Sequence, residues 1–124
     1  MLARSDVISF HSYAPRAKLL GTIAYLARYG RPLLCTEWMA RTLGSPVALV
    51  RDLADQDVDT WCWGLVAGRS QTRYSWTSWL RRPADDSGPW FHDLLHPDGR
   101  PYDESEAEML RSVSERKKRS SRVR

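Results

Sequence analysis

From Asp6 to Tyr13 the chain alternates, with Val7, Ser9, His11 and Tyr13 on one side and Ile8, Phe10 and Ser12 on the other. A period of two in a run rich in β-branched and aromatic residues predicts a strand over 6–13, which Pro15 ends. Leu19, Leu20, Ile23, Leu26 and Ala27 then recur at helical spacing before Gly30, so an amphipathic helix is expected over 18–29. Arg31-Pro32 leads into LLCTEW, Leu33 to Trp38, a nearly continuous apolar run of the kind found in strands covered on both faces. The pattern repeats more loosely. Residues 46–55 carry Pro46 at a first helical position, with Val47, Val50, Leu53 and Ala54 on one face, and TWCWGLVAG, Thr60 to Gly68, reads as a third strand. Three strands joined by two helical crossovers make a parallel, right-handed α/β arrangement.

From Gly68 to Tyr102 the periodicity is lost among Pro83, Pro89, Pro97 and Pro101, with Tyr74, Trp76, Trp79 and Trp90 interspersed. Loops this long usually carry function, and these aromatics either pin the excursion to the body or line a cleft. Asp98-Gly99 predicts a turn, and Asp103 with Glu106 three residues on predicts a capping box that opens a last helix near Glu104.

The chain has 124 residues, enough for one small domain and about half of the roughly 250 of a (β/α)8 barrel. At 42% hydrophobic and 27% charged it belongs with globular rather than disordered chains. No stretch approaches the ~18 consecutive apolar residues of a membrane span, so no membrane partner is expected. Met1 to Asp6 also lacks the pattern of a signal peptide, although a complete parent could be secreted or cytoplasmic. The net charge of +4 belongs to the end of the chain, because residues 112–124 hold six of the 19 Lys and Arg and leave 13 cations against 14 acids before them. The expected division is therefore a folded body over 1–111 and a basic, disordered tail over 112–124, with nucleic acid not expected as a partner. Cys35 and Cys62 lack metal spacing and read as buried free thiols.

In parallel α/β folds ligands bind at the carboxyl ends of the strands, which here carry His11 and Tyr13, Glu37 and Trp38, and Trp61 and Trp63. Such a set suits a sugar. A carboxylate can attack or stabilise an oxocarbenium-like centre, His and Tyr can orient it, and an indole stacks on the apolar side of a pyranose. Each residue has a plainer reading: Glu37 paired with Arg41 or Arg69, His11 as a structural histidine, Trp61 and Trp63 as core. No motif calls for a metal or an organic cofactor.

The segments DVISFHSYA, RPLLCTEWMAR, WCWGLVAGRSQT and PWFHDLLHPDGRPYDESE together resemble the last three βα units of cellulase-like glycoside hydrolases, the family-5-type retaining (β/α)8 barrels. The likeness runs from about Asp6 to Val113. It implies a partial TIM barrel equivalent to strands six to eight, with Glu37 as catalytic nucleophile, His11 and Tyr13 as its neighbours, and Trp63, Trp38 and Trp61 as sugar contacts. It also implies an absence, since the family's acid/base Glu ends the fourth strand. Glu104, Glu106, Glu108 and Glu115 lie on the final helix or tail, where none should come within the roughly 5–5.5 Å of a retaining pair. The expected function is that of a C-terminal fragment of an O-glycosyl hydrolase acting on an oligosaccharide or polysaccharide, completed by a missing N-terminal barrel fragment. Alone, three parallel strands would leave two free edges and an inner face of Val, Leu and Cys in water. The competing expectation is a non-catalytic module that binds carbohydrate or uses its basic tail.

Overall fold

A computed structural model describes residues 2–81 and 87–121; Pro83 and residues 122–124 of the tail lie outside the described residues. Three parallel strands, β1 (Ile8–Ser12), β2 (Leu33–Trp38) and β3 (Asp59–Cys62), form one sheet in chain order. The crossovers are α1 (Arg16–Ala27) and α2 (Leu49–Asp55), and α3 (Glu104–Ser121) closes the chain. The fold is thus mixed α/β with a three-stranded parallel sheet, and β2 spans the expected residues.

Two boundaries differ from the sequence expectation for identifiable reasons. Pro46 to Ala48 form a turn that feeds α2, with the Leu49 amide donating to the Pro46 carbonyl at 3.1 Å. β3 stops at Cys62 rather than Gly68 because the backbone of 65–67 bonds elsewhere: the Leu65 carbonyl accepts from the amides of Leu94 and Leu95, at 3.0 and 2.8 Å, and the Ala67 amide donates to the Leu95 carbonyl. At the departure point a Cβ on Gly64 would lie 2.9 Å from His92 Cβ and closer still to the Asp93 carboxylate, so only glycine fits.

All three helices pack on the same face of the sheet. Leu19, Ile23 and Leu26 of α1, Leu49, Val50 and Leu53 of α2 and Val113 of α3 join Ile8, Leu33, Cys35 and Trp38 in one core. The alternate strand positions point the other way, with Val7 49% and Trp61 62% exposed. The expectation of an open face of Val, Leu and Cys is corrected for Leu33 and Cys35, which are buried under the helices, while Val7 and Leu34 do lie on the open face with Ser9, His11, Asp59 and Trp61.

One irregularity sets which side chains share a face. β1 and β2 pair Ile8 with Leu33 and Phe10 with Cys35, and then His11 with Glu37, so Thr36 is an extra residue in β2. Such a bulge reverses the inside-outside alternation beyond it. Glu37 thereby joins His11 on the open face, and Trp38 drops into the core.

The sheet is tied to the distal segments by Arg41. Its guanidinium donates to both carboxylate oxygens of Glu106, at 3.0 and 2.6 Å, and to the carbonyls of Trp90 and Asp93, each at 3.1 Å, while it lies 4.7 Å from the centre of the Tyr102 ring. Only half of the expected capping box forms. Asp103 Oδ1 accepts from the Ser105 and Glu106 amides at 2.8 and 3.3 Å, but the Glu106 carboxylate turns to Arg41. α3 then runs through the basic residues to Ser121, with Lys117 on Asp59 at 2.6 Å and Arg116 on Asp55 at 2.8 Å. The stretch 112–121, expected as a basic, disordered tail, forms the end of α3. Arg41→Ala strands a partly buried carboxylate and two carbonyls and should cost about 3 kcal/mol. The urea midpoint would fall with its slope unchanged, and an unshifted midpoint would refute the clamp.

Candidate active site

The carboxyl ends of β1 and β2 bring together three of the sequence-predicted residues. The Tyr13 hydroxyl donates to Glu37 Oε2 at 2.7 Å, and His11 Nδ1 lies 3.5 Å from the same oxygen. The Glu37 side chain is 24% exposed and that of His11 55%, so the carboxylate is shielded but reachable. Both contacts fall on Oε2, and among the described residues Oε1 makes no hydrogen bond, which leaves one oxygen oriented and the other open. The expected alternative partner Arg41 is committed to Glu106.

Tyr13 is set by the long loop as much as by β1. Its ring packs edge-on to Trp76 at 5.0 Å and against His92 at 5.4 Å, and Trp76 in turn meets Phe91 at 5.1 Å. Burial, and then the bond to the Glu37 carboxylate, hold the phenol well above its ordinary pKa, so Tyr13 stays a donor. His92 is 1% exposed, and its Nδ1 stands 2.7 Å from the Met39 carbonyl. Burial pushes this imidazole below its usual value, towards the neutral form.

The tryptophans separate. Trp38 is 2% exposed and lies in the core beneath the helices, which corrects its expected place among the sugar contacts; the bulge at Thr36 turns it inward. Trp61 and Trp63 are 62% and 56% exposed, on β3 and just past its end. Trp63 lines an open concavity of about 530 Å³ with Trp79 and the hydroxyls of Ser70 and Thr72. Trp76 was expected only as one of the loop aromatics that pin the excursion or line a cleft, and sequence reasoning gave no role to His92 or Asp93. The signal available was the run PWFHD, three buried non-aliphatic side chains and a carboxylate in a proline-rich loop: Trp90, Phe91, His92 and Asp93 are all buried.

The cysteines are free, Cys35 buried and Cys62 half-buried, and burial pushes the Cys35 thiol up to about 11, so it is a poor nucleophile. Among the described residues no group of three His, Cys, Asp or Glu side chains could hold a metal, and no helix is long and apolar enough to cross a membrane. No family model matches the chain, and no curated protein or solved structure matches it either.

The depressed His92 value and the raised Tyr13 value act on stability with opposite signs. Below about pH 6.5 the unfolded chain takes a proton that folded His92 refuses, so stability present above that value is lost as pH falls. Above about pH 10 the unfolded chain releases a Tyr13 proton that the folded chain keeps, so stability is lost as pH rises. Urea midpoints followed from pH 7 to 5 should fall more steeply in the native chain than in His92→Asn; parallel slopes would show that His92 is not the titrating group.

Proposed function

We propose that the chain supplies the nucleophile half of a retaining glycoside hydrolase of the cellulase-like, family-5 type, within a partial TIM barrel. The observation that carries this reading is the pairing of Glu37 with Tyr13 and His11 on the open face, at the carboxyl ends of parallel strands. The roles follow from the geometry. Oε2 is held by Tyr13, and Oε1 attacks the anomeric carbon as the leaving-group oxygen departs, giving a glycosyl ester on Glu37 that water then hydrolyses. Trp61 and Trp63 offer indole faces to the sugar.

Protonation of the leaving group is assigned to a carboxyl outside these 124 residues. Glu104, Glu106, Glu108 and Glu115 belong to α3, which packs on the opposite face of the sheet from Glu37, and Glu106 is already paired with Arg41. A second polypeptide segment that pairs with the free edges of β1 and β3 would supply it and close the barrel. No cofactor takes part in this chemistry.

The second reading is a saccharide-binding module without hydrolysis, favoured by the exposed indoles of Trp63 and Trp79 around their concavity. A basic-tail function is disfavoured, because Arg116 and Lys117 already bind Asp55 and Asp59. A 2-deoxy-2-fluoroglycoside with a dinitrophenolate leaving group separates the readings, since that group departs without an acid and the ester on the nucleophile is long-lived. The expected result, across a panel of gluco, manno and xylo donors, is one fluoroglycosyl adduct on the Glu37 peptide by mass spectrometry and none in Glu37→Gln. Saccharide binding with no adduct from any donor would leave the lectin-like reading and remove the catalytic one.

A further inference from the structure

His92 is 1% exposed, 53 residues away in sequence from its hydrogen-bond partner Met39, and unused by the chemistry described above. Because a carbonyl only accepts, the 2.7 Å contact with Met39 places the proton on His92 Nδ1. That leaves Nε2 as a bare acceptor, and this nitrogen is buried with no hydrogen-bond partner among the described residues. An apolar ring of similar size would avoid that loss, so the contribution of a histidine here is its Nδ1 donor.

The donor goes to a strained place. Met39 is fully buried at φ 69°, in the left-handed region that a residue with a Cβ rarely adopts. It lies two residues after Glu37 and directly after the end of β2, so the bend at Met39 fixes how the strand leaves the site. The same imidazole stands 5.4 Å from the Tyr13 ring and 5.9 Å from Trp76. One side chain therefore touches both supports of Glu37: the backbone that follows it and the phenol that holds Oε2.

We infer that His92 is the positioning residue of the Glu37 centre, holding the Met39 bend through its Nδ1–H and backing the Tyr13 phenol with its ring. The inference rests on the glycosidase reading only for its effect on labelling. Burial disfavours the charged imidazole, so His92 sets no competing cation against the carboxylate.

The experiment follows the Glu37 side-chain carboxyl and Tyr13 Cζ resonances of the full chain, 13C-labelled and free of sugar, beside the rate of fluoroglycosyl labelling. His92→Leu removes the donor, whereas His92→Asn places an amide N–H where Nδ1 stood. Expected for His92→Leu are displaced Glu37 and Tyr13 resonances and a loss of about 100-fold in labelling rate, the scale of a misplaced reacting group. His92→Asn should restore the native resonances and most of the rate. Should His92→Leu fail to fold, His92→Gln, whose amide mimics the Nε2 side, serves in its place and should behave as the leucine variant was expected to. Native resonances in a folded His92→Leu chain, or an asparagine no better than leucine or glutamine, would overturn the inference. A native chain that no donor labels, with resonances that still follow the Nδ1 donor, would uphold the positioning role and sink the glycosidase reading alone.

Discussion

Between Cys35 and Trp38 the middle strand carries one residue more than its neighbour β1 uses, and side-chain alternation slips there by one position. With regular pairing His11 would sit beside Thr36, Glu37 would point down among Leu33, Cys35 and the three helices, and Trp38 would stand in water. A carboxylate in that core would lack a partner, a cost that no packing gain could offset. The slip resolves both problems at once. The largest apolar side chain of the strand joins the core at 2% exposure, and the carboxylate emerges beside the two groups that bind it.

What the slip begins, the loop between β3 and α3 completes. The Arg41 amide donates to the Phe91 carbonyl at 3.1 Å, the Arg41 guanidinium reaches the carbonyls on either side of Phe91-His92, and the Phe91 amide donates to Arg73 at 2.7 Å. Gly64 lets the chain after β3 approach the same segment closely. The four residues 90–93 are thus held from three directions, which is why a stretch without regular secondary structure can carry a buried histidine and a buried aspartate, the latter accepting from Thr72 at 2.6 Å.

Much of this was legible in the sequence. Apolar periodicity located both crossover helices and all of β2, and the spacing of His11 and Tyr13 put both on one side of β1. The rest depended on interactions between distant parts of the chain. The apolar run to Gly68 looks like strand, yet its last residues bond to 94–95, a competition that no local pattern contains. Trp38 was grouped with Glu37 because both end the same strand, and only the pairing register shows that they face apart. The tail composition suggested disorder, but acids at 55 and 59 are the counter-charges that hold α3 in line. The partner of His92 is a backbone carbonyl, which leaves no signature in side-chain identity.

The His92 to Met39 bond spans 53 residues, so the bend after Glu37 is held by a distant part of the chain. Each strand pairing of the sheet, Ile8 with Leu33 and Leu34 with Asp59, closes a loop about half as long, and the entropy of loop closure rises with length. The strand that carries Glu37 and the segment that supports its bend are therefore separate in the chain and meet only in the folded protein. A chain halted before residue 90 has the strand that carries Glu37 and the Trp76 ring, but neither Phe91 nor His92. Completion of the site, like the covering of the core by Val113 of α3, therefore draws on the final third of the chain.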